Sequence, residues 1–564
     1  MAFRQYNSAQ VADIITDWHT DDDLADEEEQ DDEEDFQPVL VAARAGNSRR
    51  TLGSYSDSSE SSETSDSDSD IADTHTGSTT LLGRDKTLWK SSTTSVAGRT
   101  PAHNVFTGAS GVPKQVSQSI TTPYDAWKHF IPESILRSVA KYTTEEAHRR
   151  GDTNFSLSLS ELEAFIALQY ARGIYGKNHP VSFLYNKEYG IPIFSKIMPR
   201  DRFLNILRYL RFDDKPNRKR SGPDADRFAP IREVFETFSS MCRTKYNCNF
   251  SLTIDEQLMP VKSRCPFTTF MPNKPDKYGI KFWVLADVET KYVANIIPYL
   301  GAQERQQRGG TPLAESVLVK LTEKVKGKGY NITCDNFFTS LSAAEKLARN
   351  KISIVGTIRK NRRELSPQMT QTMPSNLYHS RFMWHDKSNA LFVNYQAKLK
   401  KSICLLSTMR SAPDVDTESP NRKPCVILFY NKNKVGVDCF DQMTRLYTTR
   451  SASRRWPLAV WGNILDIAAI NAKVLFVKSD GKRISRRQFI FQLITNLRNE
   501  PEPTVPFSDA IPAAYPTRKR RKCHGKSCNN ATTCLCLSCK KPTCGPCSVG
   551  NSKVTLVKCK FCSS

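Results

Sequence analysis

Nine of the chain's 16 cysteines fall between Cys523 and Cys562, inside the last 42 of 564 residues. Eight of them pair off as Cys523/Cys528, Cys536/Cys539, Cys544/Cys547 and Cys559/Cys562, and three of those pairs have two residues between them. A segment of about 45 residues cannot bury enough apolar surface to fold by packing alone. The start of the chain, Met1-Ala2-Phe3-Arg4 and then acidic, carries no secretory signal pattern, which argues for free thiols over disulfides. Cys-x2-Cys is the spacing of structural zinc, and eight thiolates can close two tetrahedral sites. The expectation is a cysteine-rich domain at 517–564 binding two Zn²⁺. An interleaved cross-brace would join the first pair to the third and the second to the fourth. Four residues separate Cys523 from Cys528, so that pair is the loosest assignment. Cys534 is a ninth thiol, and His524 could replace a neighbour.

Charge is divided as unevenly as cysteine. Of 81 Lys/Arg and 59 Asp/Glu, residues 1–80 hold 4 and 21, a net of −17. The remainder holds 81 − 4 = 77 basic and 59 − 21 = 38 acidic residues, a net of +39. A basic body with an acidic tail points to nucleic acid. The runs Asp21–Asp35 and Ser54–Asp70 cannot offset their chain entropy, so 1–118 is expected as a disordered acidic tail. Its serines precede acidic residues and suit an acidophilic kinase; a passive solubilising tail is the other reading. From Arg518 onward there are 11 Lys/Arg and no Asp/Glu. Eight thiolates with two zincs add −8 + 4 = −4, which leaves about +7 and disfavours a basic histone tail as partner. Arg518-Lys519-Arg520-Arg521-Lys522 reads as a nuclear import signal, a DNA clamp or both, and the expected location is the nucleus. No apolar run approaches the roughly 18 residues of a membrane helix, so no membrane partner is expected.

Residues 119–250 carry helical apolar spacing, clearest at 159–174 and 201–212, with Ser160 as a candidate cap. Phe250–Met259, Ile280–Val288 and Tyr292–Tyr299 read as strands. After a helical stretch near 312–326, strand Tyr330–Cys334, helix Leu341–Arg349 and strand Ile352–Ile358 follow. That order predicts an α/β fold, a mixed sheet with helices on its faces. Residues 365–424 are polar, with strand-like pieces at Ala390–Tyr395 and Ile403–Ser407, and read as an insertion. Helical character returns at Val437–Leu446 and Pro457–Val477 before a proline-rich linker.

Asp255 lies in the first of these strands and Asp335 ends a later one, while Asp438 and Asp441 share one helix face. Carboxylates among apolar strand residues need a partner, and a pair of divalent cations is one. The segments Leu252-Thr253-Ile254-Asp255-Glu256-Gln257-Leu258, Arg264-Cys265-Pro266-Phe267, Pro272-Asn273-Lys274-Pro275, Ile332-Thr333-Cys334-Asp335-Asn336, Gly436-Val437-Asp438 and Arg455-Trp456-Pro457 occur in one order over about 119–564. In these motifs the chain resembles the piggyBac-type transposases.

The resemblance implies an RNase H-like catalytic core at 251–364 and 425–445, interrupted by the insertion domain at 365–424. It also implies a split, mainly helical dimerisation and DNA-binding domain at 119–250 and 446–516, with linker, and the zinc domain at 517–564. It implies Asp255, Asp335, Asp438 and Asp441 as catalytic residues, the first three holding two Mg²⁺ (or Mn²⁺). Lys262, Arg264, Phe270, Asn273, Lys274, Arg359, Arg362 and Trp456 become DNA contacts, Trp456 by stacking near a hairpin end. The implied activity is cut-and-paste transposition: a homodimer binds terminal inverted repeats, forms hairpins and joins ends at TTAA. Two readings stand beside it: a domesticated DNA- or chromatin-binding derivative, and an RNase H-like nuclease without integration.

Overall fold

The computed structural model describes residues 79–92, residues 104–498 apart from short breaks (177–178, 219–224, 273, 302–309, 410–411, 452 and 482), and pieces of 521–559. The acidic runs of the tail lie outside the described residues. The chain divides into a body within 36–502 and a unit containing 503–564.

The body is organised on one sheet. Its strands are β1 (Thr80–Leu82), β2 (Leu88–Lys90), β3 (Ser251–Pro260), β4 (Thr268–Phe270), β5 (Tyr278–Asp287), β6 (Val293–Pro298), β7 (Asn331–Cys334), β8 (Ser353–Thr357), β9 (Ser380–His385), β10 (Ala390–Lys398) and β11 (Lys401–Ser407). They lie in the order β1-β2-β9-β10-β11-β8-β7-β3-β5, with β4 and β6 both on the outer edge of β5. The pairs β3–β7 and β7–β8 are parallel; the rest are antiparallel. β7 is wholly buried and β5 and β8 nearly so, which is why they read as apolar runs rather than alternating ones. The strands of 365–424 do not stand apart: β11 continues the sheet by pairing with β8 through Leu405↔Thr357.

Helices cover the faces: α1 (Pro123–Lys128), α2 (Glu133–Arg149), α3 (Leu159–Tyr175), α4 (Arg200–Tyr209), α5 (Arg232–Thr244), α6 (Leu313–Thr322), α7 (Leu341–Arg349), α8 (Cys425–Lys434), α9 (Gly436–Leu446), α10 (Trp456–Asp480) and α11 (Arg486–Leu497). Ser158, not Ser160, caps α3: its Oγ accepts from Glu161 N at 3.2 Å. α10 holds 25 residues and is long and apolar enough to cross a membrane, contrary to the expectation from sequence. It is instead a core helix, with 83% of its most apolar window buried. Its buried amides tie it to the sheet: Asn471 accepts from Val293 N at 2.9 Å and donates to Val293 O at 3.0 Å, while Asn463 donates to Gln257 Oε1 at 3.0 Å. The early and late helices close on each other through Trp127 Nε1–H to Tyr170 Oη (2.9 Å) and Tyr170 O–H to Leu465 O (2.7 Å). Glu146, 1% exposed, gathers Arg149 (2.6 Å), Arg150 (2.8 Å) and Arg211 (2.6 Å).

Residues 79–92 overturn the reading of 1–118 as unbroken tail. β1 and β2 form a hairpin against β9 through Lys90↔Trp384, and Trp89 is fully buried. The turn needs a left-handed residue, Lys86 at φ 72°, and Thr87 N–H donates to Asp85 Oδ1 at 3.0 Å.

Candidate active site

Ile254 of β3 sits opposite Cys334 of the parallel β7, so the next residue of each chain, Asp255 and Asp335, projects from the same level of the sheet. After Asp335 the chain turns, and Phe337 N–H donates to its Oδ1 at 3.1 Å. Asp438 arrives in the first turn of α9. That helix approaches β3 through Gly436, where any Cβ would overlap the Thr253 methyl.

The shared level leaves the acids crowding one another. Burial first, then Glu256, Asp335 and Asp438, drive the Asp255 carboxyl well above the usual range. Asp335 is pushed up to about 6 by burial and by Glu256, against the amides of Phe337 and Phe338. Lys274 is the local counter-charge, with Nζ 3.7 Å from Glu256 and 3.9 Å from Asp438. Burial opposes its charge, but Glu256, Asp255, Asp438 and Asp441 hold its ammonium above the usual range. Lys281 adds a second cation, 3.9 Å from Glu256 and 4.0 Å from the Trp283 ring centroid. Oxygen donors short of positive charge suit a hard divalent cation, and Asp255, Asp335 and Asp438 are the residues able to hold one. They are not yet gathered as tightly as the cysteines described below, whose ligand atoms all lie within 4.8 Å of one another.

Asp441 is engaged differently. Arg445 Nε and Nη2 both donate to its Oδ2, at 3.1 and 2.8 Å. The same guanidinium binds Asp276 and donates to Leu258 O at 3.3 Å, so Arg445, held by Asp441, ties α9 to β3 and to the β4–β5 turn. Glu256 and Arg445 escaped the reading of the sequence, although one adjoins Asp255 and the other lies four residues beyond Asp441 on the same helix.

The residues expected at DNA fall into three groups. Lys262, Arg264 and Arg359 are exposed, as is Phe270 (43%), whose ring lies 4.8 Å from that of Tyr278 (54%). Lys274 faces the carboxylates instead, and Arg362 is half-buried, with Nη2 3.5 Å from Phe337 O. Trp456 is 8% exposed, stacked on Phe228 and edge-on to Phe267, so in this conformation it packs the core rather than offering a free face to a base. Asn273 lies outside the described residues.

In the C-terminal unit, Cys523, Cys528, Cys544 and Cys547 form the group within 4.8 Å, the first pair joined to the third. Cys528 and Cys544 sulfurs are 3.5 Å apart, and Asn530 Nδ2 and Cys544 N donate to the Cys544 and Cys523 sulfurs respectively. Four thiols at this spacing fit one Zn²⁺. His524 is not in the group; its backbone N–H donates to Pro542 O. Cys536 and Cys559 lie on paired strands, Leu535–Cys536 beside Leu556–Cys559. Cys534, Cys539 and Cys562 lie outside the described residues.

Against known proteins, the family described as Transposase IS4 matches residues 122–473. A solved chain, the cryo-EM structure of a piggyBac transposase synaptic complex with hairpin DNA, superposes with a TM-score of 0.65 at 29% identity, covering 80% of this chain and 99% of that one. The human PiggyBac transposable element-derived protein 3 is 22% identical over 403 residues, 68% of this chain and 66% of its own length. The human Chimeric ERCC6-PGBD3 protein matches the same share at 22% identity over 37% of its length. The match thus spans less than two thirds of either curated relative.

Proposed function

We infer the activity from the family: the chain belongs to the Transposase IS4 family and is a piggyBac transposase-related protein. The reading is a DNA transposase that cuts transposon ends and joins them to TTAA targets by phosphodiester transfer. The observation that carries it is the placement of Asp255 and Asp335 side by side on parallel strands, with Asp438 brought over them by α9. The strand sequence supports an RNase H-like core within 251–364 and 425–445: three antiparallel strands (β3, β5, β6), then β7 and β8 parallel on the other side of β3.

Asp255, Asp335 and Asp438 would hold Mg²⁺ or Mn²⁺, which when bound supplies charge stabilisation at the attacking and leaving oxygens. The chain's own residues do the positioning. Water attacks a phosphodiester at the transposon end, its oxygen bonds to phosphorus, and the 3′ oxygen leaves as a hydroxyl. That hydroxyl attacks the opposite strand, closing a hairpin and displacing the flanking 3′ oxygen. A second water attacks the hairpin phosphodiester and frees the 3′ hydroxyl again, which then attacks the target and displaces a target 3′ oxygen, so no covalent bond to the protein forms. Asp441 orients Arg445, which ties the last turn of α9 to Asp276 and to Leu258 of β3. Lys262, Arg264 and Arg359 are placed to meet phosphates, and salt should weaken that contact. The C-terminal unit, holding Zn²⁺ at Cys523, Cys528, Cys544 and Cys547 and a second ion through Cys536, Cys539, Cys559 and Cys562, would read the ends. Homodimeric assembly and a nuclear location complete the reading.

The human PiggyBac transposable element-derived protein 3 and its ERCC6 chimera favour one rival, a transposable element-derived DNA-binding protein without transposition. Excision from a reporter bearing the inverted repeats that flank this reading frame separates the two. Transposase activity predicts excision that Asp255→Asn abolishes; binding to the repeats without cleavage would favour the rival.

A further inference from the structure

The β1–β2 hairpin does more than end the sheet. Trp89 is fully buried between His385 of β9 and Phe392 of β10, with ring centroids 5.6 and 6.0 Å away. Its one polar atom does not bond to the strands. Nε1–H donates to Glu364 O at 2.7 Å, and Asp85 N–H donates to Arg363 O at 3.1 Å. Gly83 passes so close to the Glu364 carbonyl that a Cβ there would overlap it. Three residues of the hairpin thus grip the backbone of one loop, 359–364, which leaves the end of β8.

That loop reaches the candidate active site on its other side. Arg359 Nε donates to Asn336 Oδ1 at 3.3 Å, and Arg362 Nη2 approaches Phe337 O at 3.5 Å. Asn336 and Phe337 are the two residues that follow Asp335. Glu364 also accepts from Leu341 N at 3.1 Å, fixing the loop to the start of α7. Arg362 Nε is buried with no acceptor among the described residues, an expensive state for a guanidinium unless an anion completes it.

On the reading that DNA is the substrate, we propose that the hairpin is a positioning element for DNA. Trp89, through Glu364 O, holds loop 359–364 so that Arg359 and Arg362 meet a phosphate beside the Asp335 turn. Trp89 does not touch DNA; it acts through the two arginines. A segment N-terminal to the expected helical domain thereby becomes part of the substrate-binding apparatus.

Trp89→Phe in the full chain keeps an aromatic ring in the pocket and deletes the donor. Binding of a fluorescein-labelled duplex containing TTAA is measured across KCl concentrations. The expected result is about tenfold weaker binding, with the salt slope reduced by about one phosphate contact. The same substitution on an Arg359→Ala/Arg362→Ala background is expected to cost nothing further, since the two act as one unit. An unchanged slope, or a loss that adds in full on the arginine-free background, would overturn the proposal. Hydrogen exchange supplies a reading independent of DNA. Faster exchange confined to the hairpin and residues 359–365 supports the coupling; no change there, or loss of protection through the whole sheet, contradicts it. Failure of the wild-type chain to bind the duplex would overturn the functional reading and this inference together. Wild-type binding that depends on Arg359 and Arg362 but not on Trp89 would overturn this inference alone.

Discussion

Asp255 lies on a ten-residue strand paired on both sides, whereas Cys523 lies in a unit whose strands, among the described residues, run two to four residues. In the body, apolar packing builds the frame and then tolerates acids on it. The buried strands, the Gly436 contact and the amides of α10 hold Asp255 and Asp335 at one level whether or not a cation is present. In the cysteine unit the described strands are too short to build a frame by pairing, and the ligands take that part. Taking metal from one site should therefore remove a reaction, and from the other a fold.

The largest effect is expected where metal and fold coincide. Cys544→Ala should remove metal-coupled folding of the C-terminal unit, on the order of 10 kcal/mol, while the body keeps its melting transition. Zinc content by native mass spectrometry and hydrogen exchange along 521–559 would show it; a unit that stays protected without zinc breaks the contrast.

On the other side of the comparison, Asp335→Asn should slow strand cleavage at least about a thousandfold and leave the melting temperature unchanged or higher. A marked loss of stability would mean that Asp335 belongs to the frame after all.

Glu146 sharpens the contrast, being a buried carboxylate that the protein neutralises itself. Burial alone would raise its pKa, but Arg211, Arg150 and Lys215 hold it below the ordinary 4.5. Its stabilisation is therefore present above that value and lost as pH falls through the depressed one. Glu146→Gln should cost about 3 kcal/mol at neutral pH by leaving Arg211 buried and underpaired, and should flatten the acid limb of a urea-denaturation series.

The smallest effect has the opposite sign. Asp335 is raised to about 6 in the fold, so the folded state binds the extra proton and stability falls as pH rises from the ordinary 3.8 through about 6. Without divalent cations, wild type should lose stability over that window. Asp335→Asn should lose less, and Mg²⁺ should restore stability in wild type only.

Much of this was legible in the sequence because period and burial agreed. β3, β5 and β8 follow apolar runs to within two residues, and helix Leu341–Arg349 matches its expected span. The first and third cysteine pairs converge as the interleaved reading required. What escaped was tertiary in origin. Strands of three residues such as Thr80–Leu82 and Leu88–Lys90 have no stability until β9 receives them and Trp89 finds the Glu364 carbonyl, so composition assigned them to the tail. Trp456 reads equally well as a base-stacking or a core residue from its neighbours in sequence; Phe228 and Phe267 decide its packing here, and they are distant along the chain. Lys274 reads as a phosphate contact until Glu256 and Asp438 are seen on either side of its ammonium.

Asp255, Asp335 and Asp438 together are expected to form a working strand-transfer site. The direct measurement is a joining assay, in which purified full-length protein, a pre-cleaved transposon end and a TTAA-bearing plasmid are incubated with Mg²⁺ or Mn²⁺ and the joints sequenced. Joints at TTAA are expected from the wild-type chain and none from Asp255→Asn. Tight binding of the end with no joints from the wild type, or the same joints from Asp255→Asn, would contradict it.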